Sequence, residues 1–74
     1  MIDPTPRQVR VLYEVQCFTS VHGRVPTYRE IARLIGTDPK NAWRRLHYAA
    51  KKGLVVDRVL TDAGRAAVVP LLGG

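Results

Sequence analysis

One stretch limits what this chain can fold into more than any other: Asp38 to Lys52, reading DPKNAWRRLHYAAKK and closed by Gly53. Asp38 is a residue type that caps helix N-termini, and Pro39 suits the first helical position, where its missing N–H costs nothing. Gly53 supplies the left-handed residue that ends such a helix. At about 100° per residue, Ala42, Trp43, Leu46, Ala49 and Ala50 fall within an arc of roughly 120°. The opposite arc takes Lys40, Asn41, Arg44, Arg45, His47, Tyr48, Lys51 and Lys52, and no acid follows the cap. One face is built for burial and the other to meet negative charge. That is the pattern of a DNA-recognition helix, with a merely solvated basic face as the alternative on this stretch alone.

The charge of the whole chain points the same way. Its 74 residues carry a net +6, with a pI near 10.3. Residues 1–37 hold five basic and three acidic side chains, residues 38–58 six and two, and residues 59–74 one of each. The excess therefore peaks on this helix and the segment after it, as an anionic partner requires. The length makes one domain, 1–74, near the size at which a single core barely suffices. An apolar fraction of 46% is ordinary for a folded chain and argues against disorder. Membrane surfaces also attract basic proteins, but no apolar run approaches ~20 residues and no basic amphipathic helix carries a row of large lipid-facing residues. Cys17 stands alone, so no disulfide framework and no zinc site is expected. Ile2 to Pro6 has neither the charged nor the apolar region of a signal peptide, and a reducing cytoplasm is the expected compartment.

In chain order, Thr5-Pro6-Arg7-Gln8 is a capping box with proline at the first helical position, opening a helix over about 6–22 that Gly23 ends. Val11, Val15 and Phe18, with Leu12 beside them, are its expected core face. Val9, Tyr13 and Cys17 form a second, more exposed stripe, expected to be partly covered by the C-terminus. Pro26 biases Val25 towards an extended conformation, so a short edge strand fits there at most. Thr27-Tyr28-Arg29-Glu30 is a second capping box, opening a helix over about 28–35 with Ile31, Leu34 and Ile35 as its apolar positions. Gly36 ends it, and the basic helix, about 39–52, follows a tight turn. Leu54-Val55-Val56 and Val59-Leu60 predict a hairpin over about 54–60. Its two-residue turn, Asp57-Arg58, lacks the glycine or asparagine that a primed turn favours. Thr61 caps a last helix, 62–69, which Pro70 is expected to stop. The fold expected is mainly α with a small β-hairpin: a winged helix-turn-helix with a three-helix core, a short wing and an extra C-terminal helix.

These landmarks resemble a known family. Thr5-Pro6-Arg7-Gln8 through Val25-Pro26-Thr27, Glu30-Ile31-Ala32 to Gly36, and Pro39 to Lys52-Gly53-Leu54-Val55 are similar to the N-terminal DNA-binding domain of LexA-type repressors of the SOS response. The resemblance covers roughly residues 5–56, with one residue fewer before Pro39. Leu60-Thr61-Asp62-Ala63-Gly64-Arg65 is similar instead to the L-T-x-x-G-R close of MarR-like regulators. The resemblance implies the fold and a reading role for Lys40, Asn41, Trp43 and Arg44. It does not carry over self-cleavage, for which these residues leave no room. Nor does it carry over an operator sequence, because Trp43 and Arg44 stand where that family bears acids.

Catalysis has little to stand on. Ser20 is the only serine, His22 and His47 lack a completing carboxylate or cysteine set, and half of the six acids have a capping or turn role. No catalytic residue, metal ligand or cofactor is expected. The expected partner is double-stranded DNA. Asn41 and Arg44 suit bidentate contact with adenine and guanine, and Lys40 and Arg45 flank them as base or phosphate contacts. Trp43, at the rim of the apolar arc, is expected to pack in the core, with stacking on a base or partner as the alternative. Tyr28, Arg29, His47, Tyr48, Lys51, Lys52 and Arg58 are the phosphate candidates. A homodimer interface would draw on Ala63, Ala66, Ala67, Val68, Val69, Leu71 and Leu72, joined by Val9, Tyr13 and Cys17, against which the tail folding back on the first helix is the alternative. A winged helix that docks on a polymerase or another regulator is the competing function.

Overall fold

A computed structural model describes residues 5–72, the side chain of Leu72 excepted. The elements run α1 (Pro6–His22), α2 (Tyr28–Ile35), α3 (Pro39–Lys51), β1 (Val55–Val56), β2 (Val59–Leu60) and α4 (Asp62–Leu72). The described chain is therefore mainly helical, with one two-stranded antiparallel hairpin. None of its helices is long and apolar enough to cross a membrane.

Each of the first three helices starts where its capping signal stands. Thr5 Oγ1 accepts the Gln8 N–H at 3.2 Å while Gln8 Oε1 accepts the Thr5 N–H at 3.0 Å. Thr27 and Glu30 repeat the arrangement, and Asp38 accepts from Asn41 N at 2.8 Å. These bonds satisfy donors that a bare helix start leaves open. α3 ends one residue earlier than its pattern predicts. Lys52 leaves the helix and Gly53, at φ 75°, turns the chain back so that the N–H of Leu54 reaches Ala49 O at 3.1 Å. This is a Schellman close, and it aims Leu54 into the core.

The core gathers Val11, Leu12 and Val15 from α1, Ile31 and Ala32 from α2, and Ala42, Leu46 and Ala49 from α3. Leu54, Val55, Leu60 and Val68 close it. Four expected core positions lie elsewhere. Phe18 is only half-buried, under Arg24 at 4.9 Å and beside His22 at 4.1 Å. Leu34 stays exposed, as does Val21, which is not among the expected core positions, so the last turns of α1 lack cover; Ala32 takes the buried place on α2. Trp43 is 48% exposed and Ala50 is exposed, because the buried stripe of α3 narrows to Ala42, Leu46 and Ala49.

No strand forms at Val25 among the described residues. Pro26 has no N–H to give a ladder, and Arg58 makes the link instead, its Nη1 donating to Pro26 O at 3.0 Å. In the hairpin Val55 pairs with Leu60 and Val56 with Val59. Asp57 (φ 49°) and Arg58 (φ 66°) both turn left-handed, so the primed turn forms without glycine. The strain is held by Arg58, whose guanidinium also lies 5.3 Å from the centre of the Tyr28 ring.

α4 lies against α1 and buries Val68 fully. Thr61 accepts the Gly64 N–H at 3.2 Å and donates to Gly53 O at 2.6 Å, fastening the helix start to the end of the α3 turn. α4 does not stop at Pro70 but runs through it to Leu72. Pro70 deprives only the carbonyl of Ala66 of a helical partner, and Ala66 is exposed, where solvent can replace the lost bond.

Candidate functional site

The core fixes α3 with its polar arc outward. Lys40, Arg44, His47 and Lys51 are exposed along the outer line, while Asn41, Arg45 and Tyr48 sit on the flank nearest the start of α1. The placement of ion pairs decides the electrostatics. Glu14 pairs with Arg10, Glu30 with Arg24 and Asp62 with Arg65, all on other elements. Lys40, Arg44, Arg45 and Lys51 have no carboxylate within pairing distance among the described residues. Three acids thus neutralise arginines away from α3, and among the described residues no ion pair offsets Lys40, Arg44, Arg45 or Lys51.

The strongest of these pairs sets the geometry before α2. Arg24 donates through both terminal nitrogens to Glu30, at 2.9 and 2.8 Å, and the Thr27 N–H donates to the same carboxylate. The guanidinium first, and then the backbone donor, lower the Glu30 carboxyl from the ordinary 4.5 to about 2. On α1 the Tyr13 phenol is pushed above its ordinary value, chiefly by the neighbouring Cys17 side chain.

The expected site residues divide into two groups. Lys40, Arg44, Arg45, Lys51, His47 and Tyr48 share the α3 face, and Arg29 is exposed near the start of α2. Trp43 belongs with them rather than with the core. Its ring stacks on His47 at 4.8 Å and 9°, His47 lies 5.9 Å from Tyr48, and Lys51 Nζ stands 5.6 Å over the Tyr48 ring. The outer face therefore carries a plate of aromatic rings between its cations, apolar enough to stack and polar at the rim.

The second group is occupied within the fold. Asn41 spends its amide on Thr37 Oγ1 at 3.2 Å and Asp38 Oδ2 at 3.5 Å. Lys52 turns to Gln8, donating to Oε1 at 2.8 Å. Tyr28 packs against the core beneath Arg58. Arg58 does not project from the hairpin tip. It folds back to Pro26, and its Nε is buried without a hydrogen-bond partner.

Of the dimer candidates, Val68 is consumed by the core, and Val9, Tyr13, Cys17 and Ala67 are half-buried. Ala63, Ala66, Val69 and Leu71 remain exposed, and Leu71 lines a shallow apolar pocket with Pro6, Val9 and Arg10. The side chain of Leu72 lies outside the described residues.

One site residue escaped the sequence reading. Arg7 joins Thr5, Gln8, Asn41, Arg44, Arg45 and Tyr48 around a cleft of about 390 Å³ between α1 and α3. Nothing local to Thr5-Pro6-Arg7-Gln8 reveals that this helix start lies against α3, because the approach comes from tertiary packing. Among the described residues no group of three or more His, Cys, Asp or Glu side chains could hold a metal ion. Comparison with protein-family models, curated proteins and solved structures found nothing that matches the chain.

Proposed function

We propose that the chain is a winged helix-turn-helix domain that binds duplex DNA and regulates transcription, reading the major groove with α3. The observation that carries this reading is the polar arc of α3, where Lys40, Arg44, Arg45 and Lys51 stand unpaired among the described residues while three of the acids neutralise arginines elsewhere. Such a face attracts a polyanion. The helix that bears it follows α2 after a three-residue turn, the arrangement by which helix-turn-helix proteins present a helix to the groove. Lys40 and Arg44, in the first two turns, take the base edges, and the Trp43–His47 plate supplies apolar contact beside them. Asn41 joins them only by releasing Thr37 and Asp38. The exposed Ala63, Ala66, Val69 and Leu71 give α4 an apolar outer face, where a second copy would pair.

Salt dependence on random duplex is the first test. Neutralising about four phosphates gives a log–log slope near about −4, and binding that stays flat from low to physiological salt overturns the reading. Selection from a random duplex library then yields the site. A palindrome with half-sites about one helical turn apart marks a two-fold pair.

A further inference from the structure

The cleft between the start of α1 and the flank of α3 has a composition that the fold itself does not need. Its walls bring together three guanidiniums, Arg7 from one helix and Arg44 and Arg45 from the other, with Tyr48 beside them and no carboxylate among the described residues. None of the three arginines has an acidic partner or a hydrogen bond among the described residues, whereas Arg10, Arg24 and Arg65 are each matched. Like charges gathered around one space repel, and no carboxylate of the described residues offsets them, so the cleft is suited to accept an anion. The helix end contributes little: Pro6 has no N–H, and Thr5 Oγ1 holds that of Gln8. The forks do the binding, and a guanidinium fork matches a phosphate's paired oxygens. A lining this polar and this charged is unlike the apolar pockets that enclose drug-sized molecules.

We propose that this cleft seats one phosphate of the DNA backbone, with Arg7 as the contribution of α1. The inference rests on the DNA reading above and deepens it. Arg44 belongs both to the cleft wall and to the outer face of α3, so a phosphate held there lies next to the bases that α3 addresses. Backbone contacts of this kind fix the register of a reading helix without reading sequence themselves.

The test uses the whole chain, Arg7→Ala and Arg7→Lys, on the selected duplex and on a set of duplexes each carrying one neutral methylphosphonate. Arg7 is exposed and makes no hydrogen bond among the described residues, so an unchanged thermal midpoint verifies that the variants fold. The parent should lose about tenfold in affinity at one backbone position. Arg7→Ala should be about tenfold weaker on natural duplex, insensitive at that position, and lower in salt slope by about one unit. Arg7→Lys, which keeps the charge and loses the fork, should restore the slope and only part of the affinity. Inorganic pyrophosphate should shift the amide resonances of Thr5, Gln8 and Tyr48 in the parent and not in Arg7→Ala. Parent-like DNA binding by Arg7→Ala, with no position lost from the scan, overturns the seat while leaving the DNA reading intact. Pyrophosphate shifts without an Arg7-dependent backbone position assign the cleft to a free phosphorylated compound and overturn the proposal. Absence of duplex binding by the parent overturns the DNA reading, and this source of phosphate with it.

Discussion

Lys52 Nζ lies 2.8 Å from Gln8 Oε1, the same oxygen that accepts the Thr5 N–H at 3.0 Å. The two side chains are 44 residues apart in sequence. They join the end of α3 to the capping box of α1, and so set the angle at which the basic face is held. Lys52 is therefore expected to matter more to stability than to phosphate binding. Lys52→Ala and Gln8→Ala should each cost about 1–2 kcal/mol, with about 1 kcal/mol of coupling in a double-mutant cycle by urea denaturation. The salt slope of DNA binding should stay at the parent value in Lys52→Ala. A slope flattened by about one unit would return this lysine to the phosphate contacts.

Arg44→Ala separates base reading from general attraction. On the selected site it should lose roughly 1–3 kcal/mol and relax preference at one base pair. Lys51→Ala, at the last residue of α3, should instead weaken all sequences alike. Equal, sequence-independent losses in both variants would mean that α3 does not read bases in the way proposed.

Gly64 sits where α4 meets the carbonyl of Leu54. A Cβ there would fall inside the contact radius of that oxygen and press on the Leu60 side chain as well. Alanine is ordinarily the better helix residue by about 1 kcal/mol, so the sign of Gly64→Ala is diagnostic. The variant should lose about 1–3 kcal/mol through overpacking against rigid backbone, measured as a lower thermal or urea midpoint. A gain in stability would show that the approach of α4 to Leu54 is looser than described.

Glu30 gives the fold an acid-side dependence. Its carboxyl is held at about 2 against an ordinary value of 4.5, through Arg24 and the Thr27 N–H. As pH falls the unfolded chain takes up this proton first, so the contribution of ionised Glu30 is complete above the ordinary value and is lost as pH drops towards 2. Glu30→Gln should flatten the stability–pH curve in that window. A slope there identical to the parent's would assign the acid sensitivity to other carboxylates.

The first three helix starts were legible because each is written locally, in Thr5-Pro6-Arg7-Gln8, Thr27 with Glu30, and Asp38-Pro39. The basic arc of α3 was legible for the same reason, since periodicity alone separates it from Ala42, Leu46 and Ala49. What local pattern does not carry is the identity of neighbours. Pro70 reads as a stop, yet it costs the helix a bond only at exposed Ala66 and α4 continues to Leu72. Arg58 reads as a projecting hairpin cation, yet the left-handed turn that places it returns the guanidinium to Pro26. Leu60-Thr61-Asp62-Ala63-Gly64-Arg65 reads as a family signature, and the structure supplies its physical content. Leu60 fills the core, Thr61 caps, Gly64 permits the close approach to Leu54, and Arg65 returns to Leu60 O and Asp62. Arg7 shows the limit most plainly, because its partners across the cleft lie about 40 positions away on α3.

The stacking of Trp43 on His47 also decides what light can report about this protein. Trp43 is the only tryptophan of the chain, and it stands half in water against an imidazole rather than in the core. Its emission in the native state should already resemble that of a solvated indole, so denaturation will move the spectrum little. Occupation of the α3 face would strip water from the same ring and change the emission without any unfolding. The chain thus carries an intrinsic fluorophore that is poorly placed to follow folding and well placed to follow the arrival of a partner.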